Sequence, residues 1–306
     1  MFSGIYPPIV TLFHADGSID HEANHHHIDF LIGRGVDGIF ALGTTGEFMH
    51  LTLSEREELA QDVIRYVDGR VPVLIGTGST STFQAVRLSR HAASAGAAAV
   101  VVIAPYCFEL SNQELIGHYS AIANAVDIPV FIYNFPRLTG GNVSTEIVRE
   151  LMSEHPNVAG IKDSVDSIDL LWERIAKIKA IKPDFAVLTG SDNHLFSLLA
   201  MGGDGAIPAS ANFAPEAVVA TYEHFHDGDL AAARKSWLRI LKTNDIYRIP
   251  GSIPALTKEA MLMLGLSDSA ASRPPVMALT PAGRERVKRV LQGAGLISDD
   301  VSSSSR

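Results

Sequence analysis

The feature that most constrains the fold of this chain is a regular alternation of short apolar runs, rich in β-branched residues, with longer segments of helical spacing. The eight runs cover residues 4–13, 38–43, 72–78, 98–105, 129–136, 158–164, 185–190 and 205–212. Continuously apolar runs are typical of parallel strands that are buried on both faces. They begin 20 to 34 residues apart, which is enough for a strand, a crossover helix and the connecting loops. The sequence therefore predicts eight consecutive βα units.

Eight such units predict an α/β fold, the closed (β/α)8 TIM barrel. The alternative is a doubly wound open sheet, which usually has about five to seven strands and often begins with a GxGxxG turn. No such turn follows the first run, so we favour the barrel. Beyond residue 225 only helical spacing continues, so we predict a barrel domain over residues 1–225 and a C-terminal helical region over residues 226–306.

The helical segments carry boundary signals of their own. Residues 54–68 are predicted to form a helix that Ser54 caps, because Glu57 three residues later completes the pattern of a capping box. Residues 111–126 are predicted to form a helix of the same kind. Later helices are predicted over residues 215–225, 229–249, 252–266 and 280–295. The polar residues 299–306 are predicted to fray.

Composition excludes several classes of protein. The 306 residues are 46% hydrophobic and 19% charged, which suits a large packed core. Acidic residues outnumber basic ones 34 to 25, so the net charge of -9 opposes binding to nucleic acid or to an anionic membrane. The most apolar stretch, residues 95–105, is shorter than the about 18 residues of a membrane span. With one cysteine, Cys107, and no signal-like start, the chain is expected in the cytoplasm.

A lysine lies within the sixth apolar run. Alternation puts Lys162 on the same side as Val158 and Gly160, which in a barrel is the interior. Burial lowers the pKa of an amine, and the neutral amine is the nucleophile that attacks a carbonyl to form a Schiff base. The alternative is a structural lysine that pairs with a carboxylate such as Asp163. The residues alone leave both interpretations open.

A tyrosine lies near the end of the fifth run, in a position that matches that of Lys162 in the sixth run. If consecutive strands are neighbours and their registers match, Tyr133 lies beside Lys162. A core tyrosine whose hydroxyl has a hydrogen-bond partner is the alternative. Beside an amine, the phenol can transfer protons to and from a carbinolamine, a contribution of roughly 10²–10⁴ in rate.

Residues 43–47, with the sequence GTTGE, follow the second run. Their glycines permit a tight turn in which backbone N–H groups and the hydroxyls of Thr44 and Thr45 converge on an anion, and Gly46 belongs to this candidate carboxylate site. A turn without a ligand is the alternative. Glu47 would repel a substrate carboxylate if it pointed inward. We therefore expect it to accept hydrogen bonds that fix the loop.

No metal site is predicted. His25, His26 and His27 are consecutive, so on a helix their side chains lie about 100° apart and cannot converge on one ion. His21 and His25 lack a third ligand. We expect these histidines on a solvated helix face.

Three motifs together resemble those of a known family. Residues 43–47 (GTTGE), 133–136 (YNFP) and 160–164 (GIKDS) are similar to motifs of the dihydrodipicolinate synthase and N-acetylneuraminate lyase family, and the resemblance extends over the whole chain. It implies a class I, pyruvate-dependent aldolase, a carbon–carbon lyase that needs no cofactor or metal because its keto acid binds covalently to a lysine. The implied partners are pyruvate, an aldehyde and further copies of the chain in a homotetramer.

The resemblance also implies roles for individual residues. Lys162 is the implied Schiff-base lysine and Tyr133 the acid/base phenol. The imine that Lys162 forms with pyruvate loses a methyl proton to give an enamine, and the enamine carbon adds to an aldehyde. In reverse, this reaction cleaves a 4-hydroxy-2-keto acid. The implied catalytic residues are Lys162, Tyr133 and Thr44, and the implied substrate contacts are Thr44, Thr45, Gly46 and Ile207.

Two positions separate branches of the family. The synthase of the lysine pathway typically has two tyrosines after the proline of strand four, where this chain has Tyr106 and Cys107. It also has an arginine two positions after Pro136, where this chain has Leu138, which cannot pair with the carboxylate of aspartate semialdehyde. On an extended segment, Arg137 is expected to point elsewhere.

The resemblance therefore favours the 2-keto-3-deoxy-gluconate aldolase branch, whose members cleave hydroxylated sugar acids to pyruvate and an aldehyde. The alternative is dihydrodipicolinate synthase, which condenses pyruvate with aspartate semialdehyde. An alternative of another class is a non-catalytic barrel that binds a keto acid.

Overall fold

The strands and helices of this protein alternate along the chain. The structure is a computed structural model that describes residues 2–298. Its strands are β1 (Gly4–Ile5), β2 (Ile39–Ala41), β3 (Val73–Gly76), β4 (Ala99–Ile103), β5 (Val130–Asn134), β6 (Val158–Asp163), β7 (Ala186–Thr189) and β8 (Gly205–Ala206). Its α-helices are α1 (His21–Gly33), α2 (Leu53–Val67), α3 (Thr82–Ala95), α4 (Asn112–Ala123), α5 (Pro136–Thr139), α6 (Thr145–Glu154), α7 (Ile168–Ile178), α8 (Leu195–Ala200), α9 (Pro215–His226), α10 (Leu230–Thr243), α11 (Ile253–Met263) and α12 (Pro281–Gly293).

The strands close on themselves. All of them are parallel, each from β2 to β7 pairs with the next in sequence, and β1 pairs with β8 through Gly4 and Gly205. Pro8 bridges to Phe40 of β2, and the Ile9 N–H donates to the Phe40 carbonyl at 2.9 Å. The first run thus contacts both neighbours, so the sheet has no open edge. The prediction of a (β/α)8 barrel is confirmed, and the open sheet is excluded.

The first and last runs are shorter as strands than predicted. Regular pairing covers only Gly4–Ile5 and Gly205–Ala206. Prolines explain both ends, because Pro7, Pro8 and Pro208 have no N–H to donate to a ladder. After Pro208 the chain turns into a short 3-10 helix instead of continuing the strand.

One detail of the sixth strand differs from simple alternation. The register between β5 and β6 shifts after Val130, which pairs with Val158, whereas Phe131 pairs with Gly160. The extra residue moves Val158 out of the alternation that Gly160 and Lys162 share, so the predicted common face of all three is wrong at Val158. The glycine itself is required, because a Cβ on Gly160 would lie 2.3 Å from the ring of Phe131.

The capping residue of helix α2 lies two residues earlier in the sequence than predicted. Thr52 is the N-cap, its side chain accepts from the Glu55 N–H, and the Glu55 carboxylate accepts from the Thr52 N–H. The assignment to Ser54 and Glu57 was wrong because both pairs fit the same four-residue pattern. Glu57 instead pairs with Arg87 at 2.7 Å.

The C-terminal region packs against the start of the barrel. Val10 and Leu12 share a buried apolar cluster with residues of α11 and α12. The predicted helix over 229–249 is interrupted, because α10 ends at Thr243 and a 3-10 helix, Asn244–Arg248, follows. The division into domains near residue 225 stays a prediction, and residues 299–306 lie outside the described part of the chain. None of the helices within residues 2–298 combines the length and apolar character needed to cross a membrane.

The histidines of α1 do not share one environment. His26 is exposed, but His27 is buried, so the expectation of a solvated face is wrong for His27. Its Nε2 donates to Asn212 Oδ1 at 3.0 Å, because the Asn212 amide nitrogen donates to the carbonyls of Pro8 and Ala209 and its oxygen is therefore the acceptor. Burial lowers the pKa of His27 to about 4. Across the described residues, no group of three or more His, Cys, Asp or Glu side chains could hold a metal ion.

His27 predicts a loss of stability in acid. Between an ordinary pKa near 6.5 and a folded value of about 4, the unfolded chain binds the extra proton, so stability falls with falling pH by up to about 3 kcal/mol. Urea unfolding from about pH 7 to about pH 4 measures this slope. We expect His27→Gln to reduce it and His26→Gln, at the exposed neighbour, to leave it unchanged. Equal slopes in all three proteins would contradict the assignment.

Candidate active site

The predicted lysine and tyrosine meet inside the barrel. Lys162 of β6 and Tyr133 of β5 are register partners, and each side chain is 3% exposed. The Lys162 Nζ lies 4.0 Å from the centroid of the Tyr133 ring and 4.9 Å from that of Phe40. Both residues stand near the carboxyl ends of their strands, where barrel enzymes place their working groups.

Lys162 is not the structural lysine of an ion pair. Its neighbour Asp163 points the other way and accepts from Arg174 Nε at 3.0 Å and from Asn134 Nδ2 at 2.7 Å. Within residues 2–298, Lys162 makes no ion pair. Burial lowers its pKa, against the opposing influence of Tyr133 and Asp192. The geometry therefore favours a nucleophilic amine over the alternative of pairing with Asp163.

The GTTGE turn lies beside the phenol. Thr44 Oγ1 and the Tyr133 hydroxyl are 3.4 Å apart. Within the turn, the Gly46 N–H donates to the Gly43 carbonyl and the Glu47 N–H to the Thr44 carbonyl. The N–H groups of Thr44 and Thr45 make no hydrogen bond in the described part of the chain and remain for a ligand. Gly46 anchors the turn to the first run, because its carbonyl accepts a hydrogen bond from Thr11 Oγ1 at 2.7 Å.

Glu47 accepts hydrogen bonds, as the sequence predicted. It is fully buried, and its carboxylate accepts from Lys258 Nζ at 2.5 Å and from the Arg273 N–H at 3.1 Å. The backbone at Glu47 has a φ of 56°, the left-handed region that non-glycine residues seldom adopt. Contacts from distant segments therefore hold this end of the turn.

Ile207 lies just after β8 and is buried. Its N–H donates to the Thr189 carbonyl at 2.8 Å. Because this donor is already used, only the carbonyl of Ile207 is available to a ligand.

Two further residues of the site were missed by the sequence interpretation. Asp192 is buried after β7 and accepts from the N–H groups of Ala209 and Ser210, at 3.2 and 2.9 Å; burial raises its pKa. A Cβ on Gly190 would lie 1.9 Å from Ser164 Oγ and 3.0 Å from Lys162 Cε, so this glycine makes room for both side chains. Polar and small residues at the carboxyl end of the seventh run were the available signal.

A cavity of about 450 Å³ is lined by Gly190, which lies near Lys162, although Lys162 itself is not part of the lining. It reaches from Gly190 and Asp192 to the C-terminal region, and its polar lining includes Ser164, Asn193, Asn244, Arg248 and Arg137. The expectation that Arg137 points away is wrong, because Pro136–Thr139 is a helical turn and not an extended segment. The guanidinium lies 6.0 Å from the centroid of the ring of Phe135, which is also a lining residue of the cavity.

Fold and site together define a barrel enzyme with a buried amine at the carboxyl ends of its strands. The sequence profile of the Dihydrodipicolinate synthetase family matches residues 1–294. The chain belongs to this family, which confirms the resemblance of the three motifs.

Curated relatives from Escherichia coli (strain K12) cover nearly the whole chain. YjhH, named as a candidate 2-dehydro-3-deoxy-D-pentonate aldolase, is 42% identical over 296 residues, which are 97% of this chain and 98% of that protein. YagE, named as a candidate 2-dehydro-3-deoxy-D-gluconate aldolase, is 41% identical over 292 residues, which are 95% of this chain and 97% of that protein. These likenesses confirm the predicted enzyme class, a carbon–carbon lyase of the aldolase type.

Solved structures agree with this fold. A crystal structure of YagE in complex with pyruvate has a TM-score of 0.95 at 41% identity and covers 97% of this chain and 100% of its own. A crystal structure of dihydrodipicolinate synthase has a TM-score of 0.91 at 31% identity, with coverage of 97% and 100%. Identity is thus higher to the protein named as an aldolase.

Arg174 and Asp163 form a buried ion pair at the residue that follows Lys162, and we predict that it matters for stability. Both side chains are fully buried, so Arg174→Met leaves an unpaired buried carboxylate and is expected to cost about 3–5 kcal/mol. Lys177→Met, in the same helix, breaks an exposed pair with Glu173 and is expected to cost less than about 1 kcal/mol. Urea unfolding measures both, and equal midpoints for the two variants would contradict the prediction.

Proposed function

We propose that this protein is a pyruvate-dependent aldolase that forms a Schiff base on Lys162 and cleaves sugar acids of the 2-keto-3-deoxy-gluconate type to pyruvate and an aldehyde. The observation that carries the proposal is the buried amine of Lys162 against the phenol of Tyr133, with no ion pair to the amine among residues 2–298. A neutral amine in such a site attacks carbonyl carbons. We propose a homotetramer on the resemblance alone, and a cytoplasmic location on the single cysteine of the chain.

The residues divide the work of cleavage between them. Lys162 Nζ attacks the C2 ketone of the substrate to give a carbinolamine. The Tyr133 phenol then donates its proton to the departing hydroxyl, so that water leaves, a protonated imine remains and Tyr133 becomes a phenolate. Tyr133, with the Thr44 hydroxyl 3.4 Å away, accepts the proton of the C4 hydroxyl while the C3–C4 bond breaks. The aldehyde departs and the bonding electrons form an enamine. Protonation at C3 and hydrolysis of the imine then release pyruvate and restore the amine.

The keto-acid carboxylate is proposed to bind at the turn after β2. The N–H groups of Thr44 and Thr45 are unpaired in the described chain and supply donors, and the Thr45 side chain is buried beside them. Ile207 is proposed as a backbone contact of the bound pyruvyl unit. The covalent link to Lys162 acts as the electron sink, so the scheme needs no cofactor or metal.

The polar cavity supports a hydroxylated aldehyde. Amide, hydroxyl and carboxylate groups on its wall offer both donors and acceptors to the hydroxyl groups of a sugar acid. A second candidate has one observation in its favour: Arg137 lies on this wall and could pair with the carboxylate of aspartate semialdehyde. Leu138, which is 43% exposed, does not line the cavity.

The Schiff base predicts a covalent adduct. Incubation with pyruvate and borohydride should add one reduced pyruvyl group to Lys162, and peptide mass spectrometry locates it. Lys162→Met should abolish the adduct. Tyr133→Phe, which keeps the ring but removes the hydroxyl, should still form it while turnover falls by roughly 10²–10⁴. An intact Lys162 peptide after this treatment would exclude the mechanism.

The substrate class predicts which compounds release pyruvate. A panel of 2-keto-3-deoxy-gluconate, 2-keto-3-deoxy-pentonate and sialic acid can be assayed with lactate dehydrogenase and NADH, and aspartate semialdehyde can be tested in condensation with pyruvate. We expect turnover of the deoxy sugar acids. Faster condensation with aspartate semialdehyde would select the synthase instead. Binding of pyruvate without turnover of any compound would select a non-catalytic barrel.

A further inference from the structure

A buried ion pair joins the C-terminal region to the turn after β2. Lys258 of α11 and Glu47 are 211 positions apart, and both side chains are 0% exposed. Glu47 directly follows the residues Thr44, Thr45 and Gly46. A buried ion pair is weak evidence for stability, since apolar residues of similar volume are often as stable. Its position next to the proposed carboxylate contacts points to another role.

The pair is fully built into its surroundings. Lys258 Nζ donates a second hydrogen bond to the Ala271 carbonyl at 2.8 Å and lies 4.4 Å from the centroid of the Phe13 ring. The second carboxylate oxygen of Glu47, Oε2, accepts from the Arg273 N–H, and His50 Nδ1 lies 3.1 Å from the same oxygen. Each oxygen of the carboxylate therefore has a fixed partner, which leaves the side chain little freedom to turn.

The turn needs such a restraint. Leu42 and Glu47, at its two ends, both have positive φ, of 59° and 56°. Such conformations cost about 1–3 kcal/mol each and persist only where the surroundings enforce them. Gly46 lies between Ile9 and Thr11 of the first run, and a Cβ there would approach the Ile9 carbonyl to 2.9 Å. At the next residue, Glu47, the enforcing contact is Lys258.

We propose that Lys258 is a positioning residue that acts through Glu47 to hold the N–H groups of Thr44 and Thr45 toward the keto-acid carboxylate. The proposal rests on the proposed function, because it takes these donors as the carboxylate contacts. Lys258 does not touch the substrate. Its loss relaxes the turn and weakens binding of the keto acid.

The experiment compares pyruvate affinity in Lys258→Met, Lys258→Arg and Glu47→Gln with that of the unchanged protein. Pyruvate-dependent thermal stabilisation gives the affinity and does not require the covalent step. Lys258→Met is expected to weaken affinity about tenfold or more, since small displacements of positioned groups have effects of this size. Lys258→Arg keeps the cation and is expected to recover part of the affinity. KM should rise with a smaller change in kcat.

A matched control involves Glu259, the residue of α11 that directly follows Lys258, and its partner Arg284 of α12. Arg284→Met leaves the mostly buried Glu259 of α11 without its partner, which lies 2.8 Å away, but this pair does not contact the turn. It should leave pyruvate affinity within about twofold of the unchanged protein. An equal loss in Arg284→Met and Lys258→Met would show general loosening of α11 and overturn the proposal.

The double variant Glu47→Gln/Lys258→Met removes both charges and covers the case in which Lys258→Met fails to fold. If the two residues act through one another, the double variant loses no more affinity than the single variants. Multiplied losses, or a folded double variant with unchanged affinity, would overturn the proposal.

The two proposals fail separately. If the unchanged protein forms the adduct at Lys162 but Lys258→Met binds pyruvate normally, the positioning role is wrong and the proposed function stands. If pyruvate stabilises the protein without an adduct, and Lys258→Met weakens this effect, the Schiff base is wrong and the positioning role stands. A protein that pyruvate neither labels nor stabilises contradicts both.

Discussion

Placing one amine in an apolar barrel is the constraint that the rest of the site serves. Lys162 projects into an interior whose walls include Phe40 and Tyr133, and burial there lowers its pKa. A nearby carboxylate at ion-pair distance would favour the ammonium and remove the nucleophile. The chain avoids this because Asp163, the next residue, faces outward to Arg174. The alternation of a single strand therefore separates the side chain of Lys162 from the buried ion pair that Asp163 makes with Arg174.

Much of this arrangement could be predicted because it follows from short-range periodicity. Strands buried on both faces must be apolar throughout, so eight runs at regular spacing predicted the barrel. Neighbouring strands then placed Tyr133 beside Lys162, and their register pairing agrees. The wrong predictions arose where the local backbone geometry departs from that of a regular strand or helix. The register shift near Val158 and the competing caps of α2 involve single residues that hydrophobic pattern does not distinguish.

Contacts between distant segments could not be predicted in this way. Lys258 lies in a helical segment of the C-terminal region, and a lysine there reads as solvated because charged residues are seldom buried. Only packing of α11 against the start of the barrel brings it to Glu47. Arg137 was misplaced for a related reason. Its direction depends on a helical turn of four residues, α5, which is too short to leave a periodic signal.

The role of the C-terminal region follows from comparing the free-energy cost of this buried ion pair with that of an apolar pair in the same place. An apolar pair would fill the space of Lys258 and Glu47 without desolvating two charges, so packing alone does not explain the ion pair. An apolar side chain, however, is non-directional and cannot fix the rotation of a turn whose ends both have positive φ. A carboxylate whose two oxygens have separate partners can fix this rotation. The C-terminal region therefore restrains the turn beside the amine as well as lining the cavity, and in this fold a complete site requires segments from both ends of the chain.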